Sequence, residues 1–219
     1  AYTEGLPVID DLGDSATALR RMSTSEKSRT IEIGAEYTGE GVLAEGDTLS
    51  VRGNVYDTRL WDITSYTVPG SMSQSLDRVE MRGFELEASY GLENGVYFDL
   101  AGHLGEGTEF NPDGSSATWR NLPADRVQLT AGRRFGDALD LSWEVVHAAD
   151  RRDSTGADID ATTLHNLRAT WRPESGWLDG TELRAGIENL TDQTYVRHLS
   201  SPTRPAPGRT FKIALTREF

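Results

Sequence analysis

The feature that most restricts how this chain can fold is a two-residue hydrophobic period that recurs from one end to the other. In "GRTFKIALTREF" (208–219), Phe211, Ile213, Leu215 and Phe219 share one face, while Lys212, Ala214, Thr216 and Glu218 share the other. Successive side chains of a strand point to opposite sides, so the pattern describes a strand with one apolar face. "SRTIEIGAEYTG" (28–39) sets Ile31, Ile33, Ala35 and Tyr37 against Glu32, Gly34 and Glu36. "VEMRGFELEASYG" (79–91) sets Phe84, Leu86, Ala88 and Tyr90 against Gly83, Glu85, Glu87 and Ser89. The period returns at 47–57, 95–105, 126–136, 138–148, 162–172 and 181–190. These segments and the terminal one predict nine strands, and with no convincing 3.6-residue period the fold class is all-β.

The connections alternate in length. Those after the first, third and fifth strands ("EGVLAEG", "LENG", "GD") are short and that after the seventh ("PESGWLDG") is moderate, whereas those after the second, fourth, sixth and eighth run much longer, as in "EGTEFNPDGSSATWRNLPAD". An antiparallel up-and-down meander with two unlike rims produces this asymmetry, which is that of a transmembrane β-barrel. Aromatic residues also gather near strand ends, with Tyr37, Tyr90, Trp171 and Trp177 beside short turns and Tyr56, Trp61, Trp119 and Tyr195 beside long loops.

Composition narrows the partners. The formal net charge is -13 and no like-charge run dominates, which argues against nucleic acid or an anionic surface as the main partner. No cysteine is present, so there is neither a thiolate metal site nor a cysteine nucleophile. No apolar run approaches the roughly 18 residues of a membrane helix, a test blind to strands that need about 10 residues with only alternate ones apolar. The alternation leaves inside and outside open, because a soluble β-sandwich also has one apolar and one charged face. Small residues within the apolar stripes (Ala35, Gly53, Ala88, Ala131, Ala169, Ala185) favour lipid over a sandwich core, which they would fill thinly.

The stretch "LRAGIENLTDQTYVRHLSSPTRPAPGRTFKIALTREF" (183–219) carries "NLTD" at 189–192, Tyr195, Gly208, Arg209, Phe211, Leu215 and a terminal Phe219. In spacing and order it resembles the carboxyl end of TonB-dependent outer-membrane receptors. "GFELEASYGLENG" (83–95), and "EKS" with Glu32 and Gly34, are similar to further family segments, with Ser25 where a proline is usual. Tyr2, Glu4, Gly5, Pro7 and Asp11 extend the likeness to the start. The resemblance implies an antiparallel transmembrane barrel of about 22 strands with a plugged lumen. Residues 1–219 would be its carboxyl-terminal part, without plug domain or signal peptide. The implied function is import of a bulky nutrient, a ferric siderophore or haem, across the outer membrane of a Gram-negative bacterium. Its partners would be the TonB complex, acting through the plug, the outer-membrane lipid, the barrel assembly machinery that reads the terminal strand (Phe211, Ile213, Leu215, Phe219), and a small-molecule metal chelate. The alternatives are a passive porin-like channel and a soluble β-sandwich binding module.

Nothing in the sequence points to catalysis or to a bound cofactor. His103, His147, His165 and His198 form no HExxH or nucleophile-base spacing, and neither SxxK nor GxSxG occurs at a fitting place. The candidate ligand contacts are loop cations, aromatics and imidazoles: Trp119, Arg120, His147, Arg197, His198 and Arg204. Arg beside an aromatic ring suits an anionic ferric chelate, and imidazole suits haem iron. The motif assigns Arg209 to the strand rather than to ligand.

Overall fold

The computed structural model describes residues 1–5, 25–65, 74–153, 156–199 and 205–217. Ten strands form one antiparallel wall in chain order: β1 (Tyr2–Gly5), β2 (Glu26–Glu40), β3 (Thr48–Ser65), β4 (Gln74–Gly91), β5 (Val96–Phe110), β7 (Arg126–Phe135), β8 (Leu139–Ala148), β11 (Thr162–Trp171), β12 (Thr181–Glu188) and β13 (Thr210–Arg217). The loop strand β6 (Ser116–Thr118) adds to β5, and β9 (Arg151–Arg152) pairs with β10 (Asp158–Ile159) as a separate hairpin. All nine expected strands are present, and β1 is a tenth. Phe219 lies outside the described residues, as do Glu218 and Arg204.

The register turns the alternation into continuous rows. Leu49, Tyr90, Phe98, Ala131, Trp143, Leu167, Ile187 and Phe211 face one another across eight strands. Ile33, Val55, Phe84 and Leu104 make a second row nearer the long loops. These side chains remain open to the surroundings: Ile33 is 71% exposed, Phe211 71% and Ile213 78%. No second sheet covers them among the described residues. A face this apolar and continuous belongs against hydrocarbon. On β4 the outward apolar run from Phe84 to Tyr90 spans about 20 Å along the strand, or about 15 Å of height at a tilt of about 40°, which fits inside the roughly 25 Å apolar band of a membrane barrel.

β3 and β4 have 18 residues each, far more than the roughly 10 that crossing requires. They continue past the apolar rows, so "TRLWDITS" is strand where its polarity predicts loop. There the outward face turns charged, with Arg82 pairing with Glu106 and Lys27 with Asp62 at 3.1 Å. At Asp62 the backbone takes a left-handed φ of 56° and the ladder skips a pair. Beyond it Ile63, Leu76, Val79, Trp119 and Leu122 form a small buried cluster, backed by Leu60 and Met81.

At the opposite rim Asp47 organises the β2–β3 turn. It accepts the backbone N–H groups of Val42, Leu43 and Ala44 and the Tyr90 hydroxyl, at 2.7 to 2.9 Å. Burial pushes its carboxyl up, and these donors outweigh burial and hold it below the usual range. On the polar face Tyr56 lies over Gly83 and Tyr97 over Gly132, where any added Cβ would strike the ring.

Neighbouring residues on one strand should therefore respond oppositely to the same change. Leu129→Arg places a charge on the lipid face and should cost about 2–4 kcal/mol of stability in bilayers near mid-depth, whereas Gln128→Arg, one residue away on the polar face, should cost far less. Urea unfolding in phosphatidylcholine vesicles reads both.

Candidate ligand-binding site

At the long-loop end of β7, β8, β11, β12 and β13, the polar face borders a cavity of about 670 Å³. Its floor is built around Glu144, whose side chain is only 6% exposed. The carboxylate accepts from Gln128 Nε2 at 2.8 Å, Asn166 Nδ2 at 2.7 Å, and both Arg168 terminal nitrogens at 3.1 and 3.0 Å. A buried carboxylate is tolerable when each lone pair is matched in this way. The network supports the cavity and leaves its central carboxylate no spare acceptor for a ligand.

Asn166 connects that floor to the loop above it. Its Oδ1 accepts the backbone N–H of Asn189 at 2.9 Å. Asn189, 3% exposed and at a φ of 52°, accepts from Gln193 N and donates to Gln193 O with its own amide. Asp192 Oδ1 accepts the backbone N–H of Arg209 at 2.7 Å, and Arg209 Nε donates to the Leu190 carbonyl at 3.0 Å. The "NLTD" motif and Arg209 thus pin both ends of the loop between β12 and β13. The loop brings Tyr195, Arg197 and His198 onto the cavity, facing Arg126 and Lys212 of the wall. Lys212 is held by Glu188 at 2.6 Å.

The long loops also hold one another. Arg151 donates to the Pro123 carbonyl and, at 2.9 Å, to that of Gly105. His198 Nε2 lies 3.4 Å from the Arg152 carbonyl, and its Nδ1 is buried without a partner. Burial pushes the His198 imidazole down from its ordinary value, the Arg151 charge acts in the same direction, and the Arg152 carbonyl and Asp153 act against it.

Of the residues the sequence offers as ligand contacts, Arg197 and His198 meet at this cavity. Trp119 does not: it is 8% exposed and belongs to the buried cluster, where its ring packs on Gly107. Arg120 lies half-buried beside it, near Glu109 and Gly156. His147 stands on the apolar face, its Nδ1 2.9 Å from Thr163 Oγ1, because strand parity turns it away from the lumen. The sequence reading missed Gln128, Glu144 and Asn166, whose only signal was their shared polar register. Among the described residues, no three His, Asp or Glu side chains gather as a metal site.

A family model for the β-barrel of TonB-dependent receptor-like proteins matches residues 6–190. The chain belongs to the TonB-dependent receptor family. Solved structures agree in fold. A copper transporter, OprC, superposes with a TM-score of 0.77 at 20% identity over 98% of this chain and 35% of its own. The FrpB iron transporter from Neisseria meningitidis gives 0.69 at 16% identity, over 98% and 35%. The ferric-catecholate import receptor Fiu from E. coli K12 also gives 0.69 at 16%, over 100% and 32%. The chain spans about a third of the length of these transporters. Comparison with curated proteins finds no match. As a receptor wall, the sheet presents its apolar face to lipid and its polar face, with the cavity, to the barrel lumen.

Two outcomes follow for this receptor site. Glu144→Leu leaves Gln128, Asn166 and Arg168 without their acceptor and should cost about 2 kcal/mol or more, with Glu144→Gln milder, as read by urea unfolding in bilayers. Undocked His198 takes up a proton more readily than docked His198, so docking is complete above the free value of about 6.5 and weakens as pH falls below it. The hydrogen-exchange protection factors of residues 195–199, taken relative to the intrinsic amide rate at each pH, should fall between pH 7.5 and 5.5, and His198→Phe should flatten that dependence.

Proposed function

We propose that the complete protein is an outer-membrane receptor that imports a bulky metal chelate, a ferric siderophore or haem. Residues 1–219 supply barrel wall, lumen lining and capture loops, and a plug contributed by another part of the protein couples import to the TonB complex. The observation that carries this reading is the lumen-side cavity, where Arg126, Arg197, His198 and the Glu188-paired Lys212 share the lining with Glu144, Asp160 and Glu188. The guanidinium donors of Arg126 and Arg197 suit a chelate bearing catecholate, hydroxamate or carboxylate oxygens. Family membership favours energy-coupled import over a passive channel, and no bond-making step is required of these residues. Structural neighbours include transporters of copper and of iron, and a double mutant of the haemophore receptor HasR from Serratia marcescens in complex with its haemophore and haem.

Capture begins at the loops. Arg197 and His198 contact the ligand from the β12–β13 loop, Arg126 and Lys212 contact it from the wall, and the Glu144 network keeps the floor rigid beneath. Arg120 reaches the same lumen from the β5–β7 loop, with Trp119 anchoring that loop.

Deleting the gene should abolish growth on at least one ferric catecholate, ferric hydroxamate or haem as sole iron source. In the full-length receptor, Arg197→Ala with His198→Ala should weaken binding of that chelate about tenfold or more. Unchanged growth on every ferric chelate and on haem contradicts the iron assignment.

A further inference from the structure

The polar face of the wall is divided by charge. On β2 to β5 it carries Glu32, Glu36, Glu85, Glu87 and Asp99, and Arg52 is its only Arg or Lys among the described residues. On β7, β8, β11, β12 and β13, with Arg172 just past the end of β11, the cations are Arg126, Arg134, Arg168, Arg172, Arg184 and Lys212 and the carboxylates Asp140, Glu144, Glu182 and Glu188. Each ion pair on this second side is lopsided. Side-chain exposure is 52% for Arg168 against 6% for Glu144, and 65% for Arg134 against 28% for Asp140. Arg184 and Arg172 are 64% and 49% exposed against 19% for the Glu182 that they share at 2.5 and 2.6 Å. Lys212 leans the same way over Glu188, whereas Arg52 and Glu87 on the other side are almost equally open. The carboxylates lie in the wall and the cations stand over them, so a solute meets a positive surface even where formal charges cancel.

These cations run the depth of the wall. Arg126 and Lys212 line the cavity at the long-loop end. Lys212 and Arg168 are the two cross-strand neighbours of Gly186, about 10 Å apart over a floor with no side chain. Arg184 follows about 7 Å nearer the short turns, and Arg172 and Arg134 close the series at that rim. From Arg126 to Arg134 it covers about 26 Å along β7. Steps of about 7–10 Å are close to the Debye length of about 8 Å at physiological ionic strength, so the potential of one cation persists to the next. A pair with one carboxylate leaves most of the five N–H donors of a guanidinium for another anion.

We infer that the lumen face of β7 to β13 is a cationic track along which a negatively charged cargo passes from the cavity to the short-turn rim, with Arg168, Arg184 and Arg172 as successive contacts. The cargo class it selects is a chelate of net negative charge, because a neutral one gains nothing from the track. The inference deepens the reading of the protein as a chelate importer and rests on it for the cargo, while the sign of the potential belongs to the wall alone. An acidic face of the plug is the rival occupant, and it predicts a different outcome.

The test uses the full-length receptor in native outer membranes. In Thr170→Cys, whose thiol lies across from Arg184, an anionic methanethiosulfonate should react faster than a cationic one, and in Ser89→Cys, beside Asp99, the order should reverse. Adding Arg172→Gln with Arg184→Gln should lower the anionic-to-cationic rate ratio at the first thiol about tenfold, and Arg172→Lys with Arg184→Lys should retain most of it. In energised cells the uptake probes are radioiron as a tris-catecholate trianion, as haem with its carboxylates, and as a neutral trihydroxamate. The Gln pair should bind the anionic cargo at the surface but import it about tenfold more slowly, and the Lys pair should rescue import. Heat-modifiable electrophoretic migration confirms that each variant is folded. A rate ratio unchanged by the Gln pair overturns the inference whatever the receptor imports, as does unchanged uptake, equal loss in the Gln and Lys pairs, or wild-type uptake of the neutral probe alone. Entry of a large hydrophilic antibiotic that the wild type excludes also overturns it, because the face then holds the plug. Uptake of none of the three probes by the wild type contradicts the import reading instead, and the thiol rate ratio then decides the track.

Discussion

In a lipid environment no water is available to an unpaired backbone N–H or C=O, so each crossing segment must find its partners in the neighbouring strands. Everything else in this molecule follows from that requirement. It fixes a continuous antiparallel ladder from β2 to β13, and the ladder leaves side chains only two directions. One direction meets hydrocarbon and accepts almost any apolar residue without jigsaw packing, which is why Ala131, Ala169 and Ala185 sit comfortably among Trp143, Leu167 and Phe211. The other direction is freed from making a core and carries the polar networks.

Those networks serve in place of a core. Glu144 joins β7, β8 and β11, and Asn166 extends the same network to Asn189 and the loop beyond β12. Tyr56 and Tyr97 cover glycines of adjacent strands, filling space that would otherwise leave the backbone bare. Compact hydrophobic packing among the described residues is confined to one cluster around Val79 and Trp119, where a long loop folds back on the lumen side.

The alternation and the loop lengths made the fold legible, because both are local consequences of strand geometry and meander topology. The four residues of β1 escaped because "YTEG" has no apolar period, and it is a strand only through its pairing with Glu26–Arg29. The outer ends of β3 (58–65) and β4 (74–78) escaped because charged residues break the apolar period there, so hydropathy stopped at the edge of the lipid while the ladder continued. The candidate site was half legible. Arg197 and His198 announced themselves by residue type and loop position. Glu144, Gln128 and Asn166 come together only through inter-strand register, which a single sequence does not display. Trp119 misled for the same reason, since an aromatic in a long loop looks available until Gly107 and Leu122 are found beneath it.

The central claim, that one face of this wall meets lipid and the other lines an aqueous lumen, is tested most directly by single-cysteine scanning along β4, on a chain that has no cysteine of its own. In the full-length receptor in native membranes, Cys at Glu85, Glu87 and Ser89 should react with a charged, water-soluble thiol reagent. Cys at Phe84, Leu86 and Ala88 should react only with a lipid-soluble one. Uniform labelling of all six by the charged reagent, or the inverse alternation, would contradict the account.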